Sequence, residues 1–156
     1  MIDGARQVVD NWNPSLEVAG SYEMKDLGDI AKLVRGPFGG SLKKEIFVKS
    51  GFKVYEQSNC IKNDVQIGNY YITESKYNEM IRFAVQENDI LMSYSGTIGK
   101  VLLLNNYFEK GIINQALLKI TPMHLVFPKY LYWYILSKIN FDNRVWQFKI
   151  LLLFLN

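Results

Sequence analysis

The chain has 156 residues, 49% of them hydrophobic, enough to bury one ordinary core and too many for a disordered polymer. One cysteine, Cys60, and one histidine, His124, exclude an internal disulfide, a cysteine-based metal cluster and most histidine-base schemes. The net charge of +3 permits a polyanionic partner without requiring one.

In chain order, Ala5, Val8, Val9 and Trp12 recur at helical spacing, and Asn13-Pro14-Ser15 ends that pattern. The start lacks the apolar stretch of a signal peptide, and no apolar run reaches the ~20 residues of a membrane span. A strand is expected over Ile30 to Val34, then a loop over Arg35-Gly36-Pro37-Phe38-Gly39-Gly40. Ser41 is placed to cap a short helix containing Lys44-Glu45. Phe52 to Gln57 alternates as a strand, with Phe52, Val54 and Glu56 sharing a face. Asn69 to Thr73 is the next strand, and Thr73 would cap a helix over Glu74 to Phe83. Strands follow at Asp89 to Tyr94, Val101 to Leu104, and Ile112 to Ile120, the last closed by Thr121-Pro122. A helix from about Lys129 to Ile139 ends the regular part. Phe141 to Asn156 is apolar, lacks turn residues, and must pack somewhere or promote association.

Between two apolar runs lies Ser93-Tyr94-Ser95-Gly96-Thr97-Ile98-Gly99-Lys100, a turn rich in hydroxyls and punctuated by glycine. It has the outline of a recognition loop. It is not a phosphate-binding loop: Tyr94 stands where that motif needs glycine, and Val101 where it needs Ser or Thr. An enzymatic alternative uses Asp64 with Glu74-Ser75-Lys76, two carboxylates for Mg²⁺ and a lysine beside the attacking water. Asp10 with Glu23-Met24-Lys25 fits the same pattern, which makes the pattern permissive.

Three segments in order resemble the target-recognition domains of type I restriction–modification specificity subunits. They are Arg35 to Lys44, Asp89 to Lys100, and Asn114-Gln115-Ala116-Leu117. Tyr130 to Leu136 resembles the helix that closes such a domain, and Ile2 to Pro14 resembles the junction between an N6-adenine methyltransferase and a fused specificity domain. The resemblance implies an α+β fold, a small, curved, mostly antiparallel sheet with a few helices. It implies sequence-specific binding of double-stranded DNA for a partner methyltransferase, with a restriction subunit as a further partner. No catalytic residue, metal or other cofactor is implied; the lone cysteine, the start without a signal peptide and the lack of a long apolar run give the expectation of a reducing, cytoplasmic setting with no membrane association. No methyltransferase tetrapeptide of the Asn-Pro-Pro-Tyr kind is present.

The expected organisation is a linker over residues 1–20, a recognition domain over 21–140, and an atypical tail over 141–156 that reads as a truncated end. A degraded protein–protein adaptor is the remaining alternative. For DNA, base edges call for side chains with paired donors and acceptors, and phosphates call for cations and hydroxyls. Gln57, Asn59, Asn114 and Gln115 suit the first, Lys43, Lys44, Ser95, Thr97 and Lys100 the second, and Tyr94 either.

Overall fold

A computed structural model describes residues 22–139 and 149–153. The expected N-terminal helix and the linker lie outside them. Among the described residues, nine strands form three sheets. β1 (Tyr22–Asp26) and β9 (Lys149–Leu153) make an antiparallel pair. Four antiparallel strands follow the order β2 (Ala31–Arg35), β8 (Leu117–Pro122), β5 (Ile90–Ser93), β6 (Val101–Leu103). The third sheet places β3 (Phe52–Tyr55) between β4 (Tyr71–Ile72) and β7 (Gly111–Ile113). β3 and β7 run parallel, the one departure from antiparallel pairing in the named strands. Four α-helices are also present among the described residues: α1 (Leu27–Ile30), α2 (Gln57–Lys62), α3 (Glu74–Glu79) and α4 (Pro128–Ile139). The architecture is the expected α+β class. Strand β9 takes five residues of the apolar tail back to the start of the described chain, with Met24 opposite Leu151.

Strand β5, inside the four-stranded sheet, is buried on both faces, and it reads as an apolar run with no alternation, as does its neighbour β6. Ile90 and Met92 pack with Ile30, Val101, Leu118, Ile120 and, from α4, Leu131 and Ile135. Leu91, between them, points the other way, into a cluster with Tyr55, Cys60, Leu102, Ile113 and Leu117. A third cluster joins Val54, Ile72 and Ile112 to Tyr77 and Met80 beside α3. Thr73 caps α3 as its position suggests, its hydroxyl accepting from the Lys76 amide at 3.3 Å.

Several local expectations give way to tertiary packing. The run Ile112 to Ile120 is two strands on different sheets, because the chain turns at Asn114. β3 stops at Tyr55, and Gln57 opens α2, whose first turn is fixed by a reciprocal capping box between Glu56 and Asn59. Alternation in β3 fails because Lys53 is fully buried along with Val54 and Tyr55. Its ammonium donates to Glu109 Oε1 at 2.8 Å and to the Gln66 carbonyl at 3.0 Å, which offsets the cost of burial. Ser41 caps no helix. Its hydroxyl donates to the Phe38 carbonyl, and single 3-10 turns occupy Gly39–Leu42 and Lys44–Ile46. The helix expected through Phe83 ends at Glu79, with a 3-10 turn over Ile81–Phe83.

A second buried polar group braces the central strands. Asp89 accepts from the Thr121 hydroxyl at 2.5 Å and from the Gln86 amide at 2.9 Å. Burial raises the Asp89 carboxyl above its usual range, and the two hydrogen bonds oppose that rise. Lys119, in β8, donates to the Ala84 carbonyl, and burial lowers its ammonium.

Two ion pairs allow a controlled comparison. Glu109→Ala strands the buried Lys53 ammonium with the Gln66 carbonyl as its remaining acceptor. Because Glu109 is 42% exposed, solvent softens the loss to about 1–3 kcal/mol in urea denaturation. Glu79→Ala removes the surface pair with Lys76 and should cost under about 0.5 kcal/mol in the same measurement.

Candidate nucleic-acid interface

One end of the four-stranded sheet gathers the C-termini of β2 and β5 and the N-termini of β8 and β6. The register fixes this: Arg35 pairs with Leu118, Ser93 with Leu117, and Met92 with Val101. Three connections therefore project side by side: residues 36–51 after β2, Tyr94 to Lys100 between β5 and β6, and Asn114 to Ala116 between β7 and β8.

Backbone hydrogen bonds fasten them to one another. The Gly36 amide donates to the Leu117 carbonyl at 2.9 Å, and the Tyr94 amide donates to the Ala116 carbonyl at 2.7 Å. Gly36 must be glycine for a steric reason. A β-carbon there would sit 1.8 Å from the Asn114 carbonyl oxygen, on rigid backbone. The three segments singled out in the sequence thus meet in space.

Within the β5–β6 loop, the Ser93 hydroxyl accepts the Lys100 amide at 2.9 Å and the Ser93 carbonyl accepts the Gly99 amide at 2.9 Å. Gly96 and Gly99 have φ of 70° and 86°, left-handed values that glycine adopts without strain. These glycines shape the turn, while Ser95, Thr97 and Lys100 are exposed on it. From α2, the Gln57 amide nitrogen donates to the Thr97 carbonyl at 3.2 Å and so braces the loop from the side.

The amides divide by role. Asn59 is fully buried. It accepts from Glu56 N and donates to the carbonyls of Asp64 and Ile67 at 2.9 and 2.7 Å, so it cannot reach a ligand and leaves the set of reading residues. Asn114 is half-buried, and its side-chain oxygen accepts the Ala116 amide at 3.0 Å, an Asx turn that redirects the chain between sheets. Gln115, at the tip of that turn, is exposed. Lys43 and Lys44 are exposed on the connection after β2.

Two residues absent from the expected set join the cluster. Arg35, exposed at the end of β2, holds its guanidinium carbon 4.5 Å from the ring centroids of both Phe38 and Tyr94. Phe38 itself is 69% exposed. An arginine beside a Gly-Pro-Phe-Gly-Gly turn is the available sequence signal; only the fold shows Tyr94 arriving on it.

The structure gives the nuclease constellation no support. Asp64 accepts the Gln66 amide, Lys76 is paired with Glu79, and Glu74 is exposed in the first turn of α3. Among the described residues, no cluster of three His, Cys, Asp or Glu side chains could hold a metal. A concavity lined by Asp64, Leu103, Lys129 and Trp133 contains none of the loop residues. No helix among the described residues is long and apolar enough to cross a membrane.

A rigid α+β scaffold that presents hydroxyls, amides and cations from adjoining loops is a recognition module. The family model for the type I restriction modification DNA specificity domain matches residues 20–152, and the chain belongs to that family. Its members specify DNA targets and carry no catalytic machinery of their own. Among solved structures, the HsdS subunit from Thermoanaerobacter tengcongensis superposes with a TM-score of 0.65 at 12% identity, over 90% of this chain and 35% of that one. A structure reported for complex assembly and conformational transition of the type I R-M system gives 0.65 at 13% identity, over 97% and 39%. The type I restriction-modification S subunit from M. genitalium gives 0.55 at 14%, over 88% and 36%. At these identities the likeness concerns the fold, and the chain spans under two-fifths of each subunit. No curated protein matches by sequence.

Two glycines separate packing from propensity. Gly36→Ala must push the Asn114 turn aside, with an expected loss of about 1–3 kcal/mol and faster amide exchange at Leu117. Gly28→Ala, in α1, meets nothing within 4 Å and should be neutral or stabilising by up to about 1 kcal/mol. Thermal denaturation compares the two.

Proposed function

We propose that the loop-bearing end of the four-stranded sheet docks on double-stranded DNA and selects a sequence for a partner methyltransferase subunit, with a restriction subunit as a further partner, in the cytoplasm. The observation that carries this proposal is the convergence of three loops, far apart in sequence, into one hydrogen-bonded surface. Lys43, Lys44 and Lys100 supply cations for phosphates, and Ser95 and Thr97 supply hydroxyl donors. Gln115 and Tyr94 face base edges. Gln57 and Asn114 hold the loops that carry them, since each spends an amide atom on loop backbone. The module does no chemistry. It places the partner enzymes at a chosen site, and the phosphate contacts fix its register.

Equilibrium binding of the full chain to duplex DNA over a range of salt tests this. Log affinity should fall linearly with log salt. Replacing Lys43, Lys44 and Lys100 with Ala should flatten the slope by about 0.9 for each phosphate that is no longer neutralised. Binding indifferent to salt, or unchanged in the triple variant, would refute the proposal.

A further inference from the structure

Arg35 carries more than charge. An exposed arginine ordinarily samples many side-chain orientations, at a cost of lost freedom whenever it binds. Here two rings from different segments, Phe38 and Tyr94, each 4.5 Å from the guanidinium carbon, hold the planar head by cation–π contact. Among the described residues it makes no ion pair and no hydrogen bond, so its donors stay available at the surface. The next residue, Gly36, approaches the backbone of Asn114 and Gln115 closely, so Arg35 leaves β2 beside the turn that bears Gln115.

A phosphate can be gripped by a guanidinium fork, but it does not require one. A lysine is a sufficient point charge for it, and three exposed lysines already serve these loops. Fixing the plane of a guanidinium is useful where two coplanar acceptors must be met together. In the DNA major groove that pair is O6 and N7 of guanine. We infer that Arg35 is a specificity-determining residue that reads a guanine in the recognised sequence by paired hydrogen bonds, with Phe38 and Tyr94 as positioning residues that hold its plane. The inference rests on the DNA-reading proposal above.

The test starts from a randomised duplex library selected on the full 156-residue chain, which gives the preferred sequence. Each guanine in it is then replaced singly by 7-deazaguanine, which lacks the N7 acceptor. Arg35→Ala and Arg35→Lys are compared with the unaltered chain on every duplex, with circular dichroism as the check on folding. One 7-deazaguanine position should weaken the unaltered chain about 10-fold or more and leave both variants nearly unaffected. Arg35→Lys should keep the salt slope and still lose that preference, because it retains the charge without the fork. Phe38→Ala should lower the preference at the same guanine and leave the slope unchanged. If Arg35→Ala instead weakens all duplexes alike and flattens the salt slope by about one, Arg35 is a phosphate contact and the inference falls. If the unaltered chain selects no sequence, the DNA-reading proposal fails first, and Arg35 with it.

Discussion

The turn at Asn114 is the constraint on which the candidate surface depends. The chain leaves a three-stranded sheet at Ile113 and enters a four-stranded sheet at Leu117, so three residues must carry it between layers. The Asn114 side chain closes the turn, the Asn114 backbone carbonyl lies against Gly36, and the carbonyls of Ala116 and Leu117 just after it receive the amides of the other two loops. Moving this turn would separate the β2 connection from the β5–β6 loop and remove the setting in which Arg35 meets Tyr94. The surrounding hydrophobic clusters hold the turn from behind, since Ile113 and Leu117 are both fully buried in one of them.

Much of this is legible in the chain. The β5–β6 loop, the loop after Arg35 and the amides at 114 and 115 all announce themselves by breaking apolar runs, and the closing helix by its length and boundaries. What escapes has physical causes. The break in Ile112 to Ile120 is hidden because both halves are buried on both sides, so periodicity says nothing about a change of sheet. α2 is hidden because its capping box uses Glu and Asn in place of the familiar Ser or Thr followed by Glu. Asn59 reads like a base-contacting residue because a polar amide in a sequence does not show whether its partners are local. Lys53 reads like a solvated strand residue because its partner, Glu109, lies far along the chain.

The candidate surface separates two kinds of residue. Gly36, Gly96, Gly99, Ser93, Asn114 and Gln57 build backbone shape, and each does so through its own backbone geometry or a contact within the protein. Lys43, Lys44, Ser95, Thr97, Lys100 and Gln115 extend outward from that shape. Arg35, Phe38 and Tyr94 belong to both groups, since their mutual contact is internal while Arg35 and Phe38 are exposed to solvent. The same polar residue types serve both purposes, which is why composition cannot sort them and geometry can.

The central position of β8 has a kinetic consequence. It pairs with β2, the first strand of its sheet, and with β5, so most of the four-stranded sheet waits for a strand made late in the chain. Contacts that close such long loops form slowly, because the entropy of closure is spent before the pairing returns any stability. On a ribosome the emerging chain therefore cannot complete this sheet, or the candidate surface at its end, until β8 has been synthesised. The order of strands in the sheet alone therefore places the candidate surface among the last parts of this domain to form.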